Sequence, residues 1–207
     1  MSILDQPERL AGLRFYEIAD LLHLEDVTED AGSNRDSRGY IARFLADCGI
    51  STPAPWCAAF VASCLLAAGV PRRELPSNPA STYSWAEWAF RSKRLRRDFK
   101  GQVKKGDLFV WNSALKGNYV WPGGGQGHIG IVVGVSHDGR SLRTIEGNSN
   151  SDGSRNGNAL IRRGSRSGRP GEARLTPNTT ENWRPVGAVM HRIQLPSEWF
   201  RRAGEAL

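Results

Sequence analysis

The chain has 207 residues, 39% of them hydrophobic and 24% charged, which is enough apolar content for one globular domain with its own core. Its longest apolar run, from Trp56 to Val70, is too short for a membrane span, and the N-terminus MSILDQPERL lacks the basic-then-apolar pattern of an export signal. The net charge of +7 divides into −5 over residues 1–50 and +12 over residues 51–207, so the basic part attracts polyanions, although no nucleic-acid motif accompanies the charge.

In chain order, Leu10, Leu13, Ile18, Leu21 and Leu22 recur at helical spacing and predict one amphipathic helix from Pro7 to Leu24. A second helix is expected from Asp36 to Cys48, with Ile41, Phe44 and Leu45 on one face and Gly49 as its stop. The Pro-rich hinge STPAP follows. From Pro55–Trp56 the chain enters the alanine-rich run AAFVASCLLAAG, a buried helix ended by Gly69 and Pro71. A further helix from Ser81 to Phe90 carries Trp85 and Trp88 three residues apart, with Tyr83 nearby. Arg91 to Lys105 then holds eight basic residues and one acidic one, read as a solvated helix face and loop or as a polyanion-binding patch; Arg155 to Arg169 is a second basic stretch.

After Gly106 the period changes. GDLFVWN, HIGIVVGV, SLRTIEGN and NALIRRG are β-branched or alternating segments bounded by glycine-bearing turns, and SHDGR has the Asp-Gly pair of a tight hairpin. A last strand, VGAVMHRI, precedes a short C-terminal helix containing Trp199 and Phe200. Helices first and an antiparallel sheet afterwards predict an α+β fold in a single domain. Residues 1–33 form a helical extension, 34–193 the core and 194–207 the terminal helix.

Three cysteines, Cys48, Cys57 and Cys64, are an odd number without metal-ligand spacing; they suggest neither a disulfide framework nor a zinc site, no cofactor is expected, and synthesis in a reducing compartment is implied. Cys57 falls in the first turn of the buried helix, where unpaired backbone N–H groups and the helix dipole favour a thiolate and can also receive an oxyanion. Alone, such a cysteine reads as a small buried residue, as Cys64 does deeper in the same helix. His128 supplies a partner: it opens an apolar strand after a glycine-rich loop, where a scaffold can hold a general base beside a substrate. His23 on a helix, His137 in a turn and His191 in a strand read as surface or core residues. Pairing about the Asp138-Gly139 turn brings Glu146, Gly147 and Asn148 back alongside His128, where a carboxylate or amide could fix the imidazole tautomer.

PWCAAFVASC, GDLFVW, GHIGIVVG and IEGNSN together resemble the CHAP family of cysteine, histidine-dependent amidohydrolases/peptidases, to which the NlpC-type peptidases are close. The resemblance runs from about Asn34 to His191. It implies a papain-like fold, Cys57 as nucleophile, His128 as base, and Glu146 and Asn148 as orienting residues. It also implies a peptidoglycan substrate, cleaved by endopeptidase action or at the N-acetylmuramoyl-L-alanine amide. Trp56, Tyr119, Trp121 and Gly127 are the candidate substrate contacts, whereas Trp85, Trp88 and Trp111 read as core. Synthesis in the cytoplasm without a signal peptide, followed by action at the wall, fits a phage lysin or an injected antibacterial effector. The acidic N-terminal helix would then be a docking surface for an immunity protein or a secretion-system partner, its plainer reading being a solvated face. A thiol amidase or isopeptidase acting on a non-wall amide, a basic nucleic-acid-binding module and an inactive adaptor are the competing classes.

Overall fold

The computed structural model describes residues 2–29, 34, 39–96, 103–112, 115–116, 119–120, 127–137, 141–149, 157, 159–167 and 191–200. Its helices are α1 (Pro7–Leu10), α2 (Phe15–Leu24), α3 (Tyr40–Asp47), α4 (Cys57–Ala67) and α5 (Thr82–Arg91). Its strands are β1 (Leu95–Arg96), β2 (Leu108–Asn112), β3 (Leu115–Lys116), β4 (Tyr119–Val120), β5 (Gly127–Val135), β6 (Ser141–Ser149), β7 (Ala159–Ser167) and β8 (His191–Ile193). Six strands pair antiparallel in the order β1-β8-β2-β5-β6-β7, and β3 and β4 form a separate two-stranded ribbon. This is the α+β arrangement expected from helices followed by a sheet.

The single helix expected over Pro7–Leu24 is instead two. The backbone leaves helical geometry at Ala11, and Gly12 takes a left-handed φ of 76°, a conformation that glycine adopts without steric cost. The redirected α2 buries Phe15, Ile18, Ala19 and Leu22, and it packs on α4, β5, β6 and β7. The expected start of the second helix at Asp36 lies outside the described residues, and α3 is helical from Tyr40. Of the expected last strand, residues 186–190 lie outside the described residues; β8 completes the sheet between β1 and β2. Of the expected terminal helix, the described residues form a 3-10 turn, Ser197–Phe200, whose Trp199 ring stacks on Trp88 at 5.3 Å, and residues 201–207 lie outside the described residues.

α4 is the central helix because every residue from Cys57 to Leu65 is buried, leaving no polar face to turn outward. It lies against α3 and against β5 and β6. On the sheet, Leu108, Val110, Ile129, Ile131, Val133 and Ile145 belong to the helix-facing core. Strand alternation therefore turns Phe109, Trp111, His128, Gly130, Thr144 and Glu146 to the other face. β2 pairs Trp111 with His128 and Phe109 with Gly130 across the ladder. The Trp85 ring is buried in the core, its indole donating to the Pro79 carbonyl at 2.9 Å, and Trp88 packs on that core, whereas Trp111 is buried on the other face of the sheet, opposite His128.

The basic stretch from Arg91 divides between elements. Arg91 ends α5, Leu95 and Arg96 form β1, and Lys104 and Lys105 lie over the rings of Phe200 and Tyr16 at 4.3 and 4.7 Å. Residues 97–102 lie outside the described residues, as do 155, 156, 158, 168 and 169 of the second basic stretch, whose remainder is Gly157 and β7. Among the described residues no helix is long and apolar enough to cross a membrane.

Candidate active site

Cys57 is the first residue of α4. No side chain caps this helix, and its first backbone bond runs from the Phe60 N–H to the Trp56 carbonyl. The N–H groups of the first turn are therefore uncommitted within the helix and point toward the site of any charge on the sulfur or on a bound oxyanion. The residue itself is buried, 5% exposed.

His128 is the second residue of β5 and is buried, its ring 6.0 Å from that of Phe109. Its Nε2 lies 3.0 Å from Glu146 Oε2, and the Cys57 side chain is a second hydrogen-bond partner of His128. Burial by itself would lower the His128 pKa. The hydrogen bonds to Cys57 and Glu146, with the negative charge of each, outweigh that and raise it above the ordinary 6.5. The geometry is thus one in which the His128 ring is held between a sulfur and a carboxylate, each of which favours its protonated form.

Glu146 is fully buried on β6, and both of its oxygens are used. Oε2 faces His128, and Oε1 accepts the Thr144 hydroxyl at 2.6 Å. Thr144 and Glu146 are two apart on one strand and share a face. This second partner was not singled out in the sequence, where a threonine in an alternating strand reads as an ordinary β-former. The carboxylate reaches the imidazole because Gly130 has no side chain: a Cβ there would lie 2.8 Å from Glu146 Cγ and 2.5 Å from Phe109 Cε1. In the sequence Gly130 is one glycine of the GHIGIVVG strand, and its role appears once the strands are in register.

Asn148, the other orienting candidate, is also buried, with a left-handed φ of 52°. Its Oδ1 has no hydrogen-bond partner among the described residues. The structure therefore brings Cys57, His128 and Glu146 into one hydrogen-bonded chain, with Asn148 two residues beyond on β6.

The remaining candidates fall differently. Trp56 is fully buried, with its ring 6.0 Å from that of Phe44 and its indole N–H donating to Glu29 Oε1 at 2.9 Å. This places it in the core, where its size and apolar ring are satisfied by α3 and β6 rather than by an open groove. Gly127 opens β5 and pairs with Asn112. Tyr119 lies on β4, paired with Lys116, and Trp121 lies outside the described residues. His23 contacts the Leu160 carbonyl at 3.4 Å, His137 is exposed, and His191 is buried in β8. All three cysteines are free thiols; burial pushes Cys48 up to about 12 and Cys64 well above its ordinary range, so both remain protonated near neutrality.

Residues 49–148 match the family model for the CHAP domain. No curated protein and no solved structure matches the chain.

Proposed function

This chain carries a CHAP domain, and we propose that Cys57, His128 and Glu146 make it a cysteine-nucleophile hydrolase of amide bonds in bacterial peptidoglycan. The domain marks a hydrolase of the peptidoglycan amidase/peptidase kind; the thiol mechanism, the residue roles and the bond class belong to the proposal. The observation that carries it is the hydrogen-bonded chain from Cys57 through His128 to Glu146 at the uncapped start of α4.

In this reading the Cys57 thiolate attacks the amide carbonyl carbon, and the carbonyl electron pair moves onto oxygen, where first-turn N–H groups of α4 receive it. Collapse breaks the C–N bond, the His128 imidazolium gives its proton to the departing amine, and a thioester remains on Cys57. A water then attacks the thioester carbon while His128, now neutral, takes its proton. The second collapse releases a carboxylic acid and regenerates the thiolate–imidazolium pair. Glu146 accepts the Nε2–H throughout, fixing the ring and stabilising its charged form.

A positive balance of +12 over residues 51–207 suits anionic wall polymers, and action as a phage lysin or a delivered antibacterial effector is part of the same reading. An immunity protein or secretion-system component binding the acidic N-terminal region would belong to the effector route. Mass spectrometry of muropeptides after digestion of purified peptidoglycan tests the proposal. A new amine paired with a new carboxylate identifies the amide cleaved, endopeptidase or amidase. Intact muropeptides alongside hydrolysis of small amides would move the substrate off the wall.

A further inference from the structure

We propose that Glu29, acting through Trp56, is a positioning residue for the Cys57 thiolate; this rests on Cys57 being the nucleophile. Glu29 lies outside the segment 49–148 that matches the family. The starting observation is the place of Trp56. It immediately precedes Cys57, is fully buried, and packs against both halves of the site. On one side its ring touches Phe44 of α3. On the other it lies over Gly147 of β6, where a Cβ would come 2.7 Å from Trp56 Cζ3 and 2.8 Å from Cε3. Gly147 adjoins Glu146. The indole is therefore the spacer between the helix start that carries the sulfur and the strand that carries the carboxylate.

Close packing confines the indole between Phe44 and Gly147, and a directional contact adds to that confinement. The directional contact is the Trp56 Nε1–H donating to Glu29 Oε1 at 2.9 Å, a hydrogen bond to a carboxylate and so among the stronger kinds. Glu29 is itself held. Its Oε2 accepts the Asn34 backbone N–H at 2.9 Å, with Asn34 in the left-handed region at φ 62°. One residue earlier, Thr28 bridges to Ala159 of the edge strand β7, and the Leu160 N–H donates to the Val27 carbonyl at 2.9 Å. An unbroken path thus runs from the sheet edge through Thr28 and Glu29 to Trp56 and the first residue of α4. Releasing the indole lets the helix start drift relative to β6, and small displacements of a reacting group are costly: about 1 Å is worth on the order of 10²-fold.

The test compares wild type with Glu29→Ala, Glu29→Gln and Trp56→Phe, reading kcat and KM on peptidoglycan and the pH dependence of iodoacetamide alkylation at Cys57. Glu29→Ala is expected to lower kcat on the order of 10-fold with KM nearly unchanged, and to move the Cys57 alkylation profile to higher pH because the imidazolium no longer sits in register with the sulfur. Glu29→Gln, which keeps an acceptor for the indole, recovers most of both. Trp56→Phe reproduces the Glu29→Ala profile, and the double variant is no worse than either single one, since all remove one bond. A wild-type profile in a folded Glu29→Ala protein overturns the proposal, whatever its melting temperature. If that variant does not fold, an unchanged profile in Trp56→Phe does the same. Alkylation needs no substrate, so a wild-type protein inactive on peptidoglycan would sink the functional reading and leave this one decidable.

Discussion

His128 is held between Cys57 and Glu146. Glu146 faces Nε2 at 3.0 Å and is braced by Thr144, whereas Asn148 makes no such contact through its Oδ1 among the described residues. Glu146→Gln should therefore slow turnover by about 10²–10⁴-fold and cost more than Asn148→Ala. It should also lower the His128 pKa in an NMR titration. Because the folded pKa is raised above 6.5, the folded protein binds this proton more tightly than the unfolded chain. The stabilisation is complete below the unfolded value and is lost as pH rises through the folded one. Denaturant unfolding across that window should show wild type losing its advantage over Glu146→Gln as pH increases. Cys57, His128 and Glu146 were legible in the sequence because each announces itself locally: a helix start, a strand start, and a hairpin that returns one to the other. Thr144 and Glu29 were not, since a hydroxyl two positions along a strand or a carboxylate far upstream acquires meaning only through packing.

At the scale of elements, two glycines set the approach of strand to strand and strand to helix. Gly130 leaves room for Glu146 and Phe109, and Gly147 leaves room for Trp56. Gly130→Ala should force Glu146 away from His128, costing about 1–3 kcal/mol by overpacking and lowering activity together with the His128 pKa. Retained activity with a normal titration would mean that the strands part without disturbing the carboxylate. Sequence patterns placed β2, β5, β6 and β7 correctly because alternation and glycine-bearing turns are strong signals. They missed the break between α1 and α2, where Leu10 and Leu13 continue a helical period across a glycine that in fact ends the first helix. They also gave no sign of β1, whose Leu95–Arg96 pair reads as part of a basic run and is strand only because β8 lies beside it.

At the scale of the whole molecule, the segment 49–148 does not contain the pieces that complete its own core. β8 comes from residues 191–193 and sits beside β2, β7 pairs with β6, and α2 packs against α4 and the sheet. Residues 49–148 expressed alone should lack a cooperative unfolding transition and dispersed amide resonances; a cooperatively folded fragment would show that the flanking elements are dispensable. β8 is tied in by a buried ion pair, Arg192 Nη1 to Asp107 Oδ2 at 3.1 Å, with Asp107 fully buried immediately before β2. Burial raises the Asp107 pKa, and the Lys104 backbone N–H and Arg192 oppose that rise. Removing the cation alone, as in Arg192→Met, should cost about 3–5 kcal/mol, measured by denaturant unfolding, because the carboxylate is left uncompensated. Replacing both partners with apolar residues should cost much less.

The central claim is that one thiol of three performs the hydrolysis, and the most direct measurement is turnover of purified peptidoglycan by the Cys57→Ala and Cys64→Ala proteins side by side. The account predicts that Cys57→Ala is folded and inactive while Cys64→Ala, whose thiol is buried in the middle of α4, still cleaves. Cleavage by Cys57→Ala at the wild-type rate would contradict it.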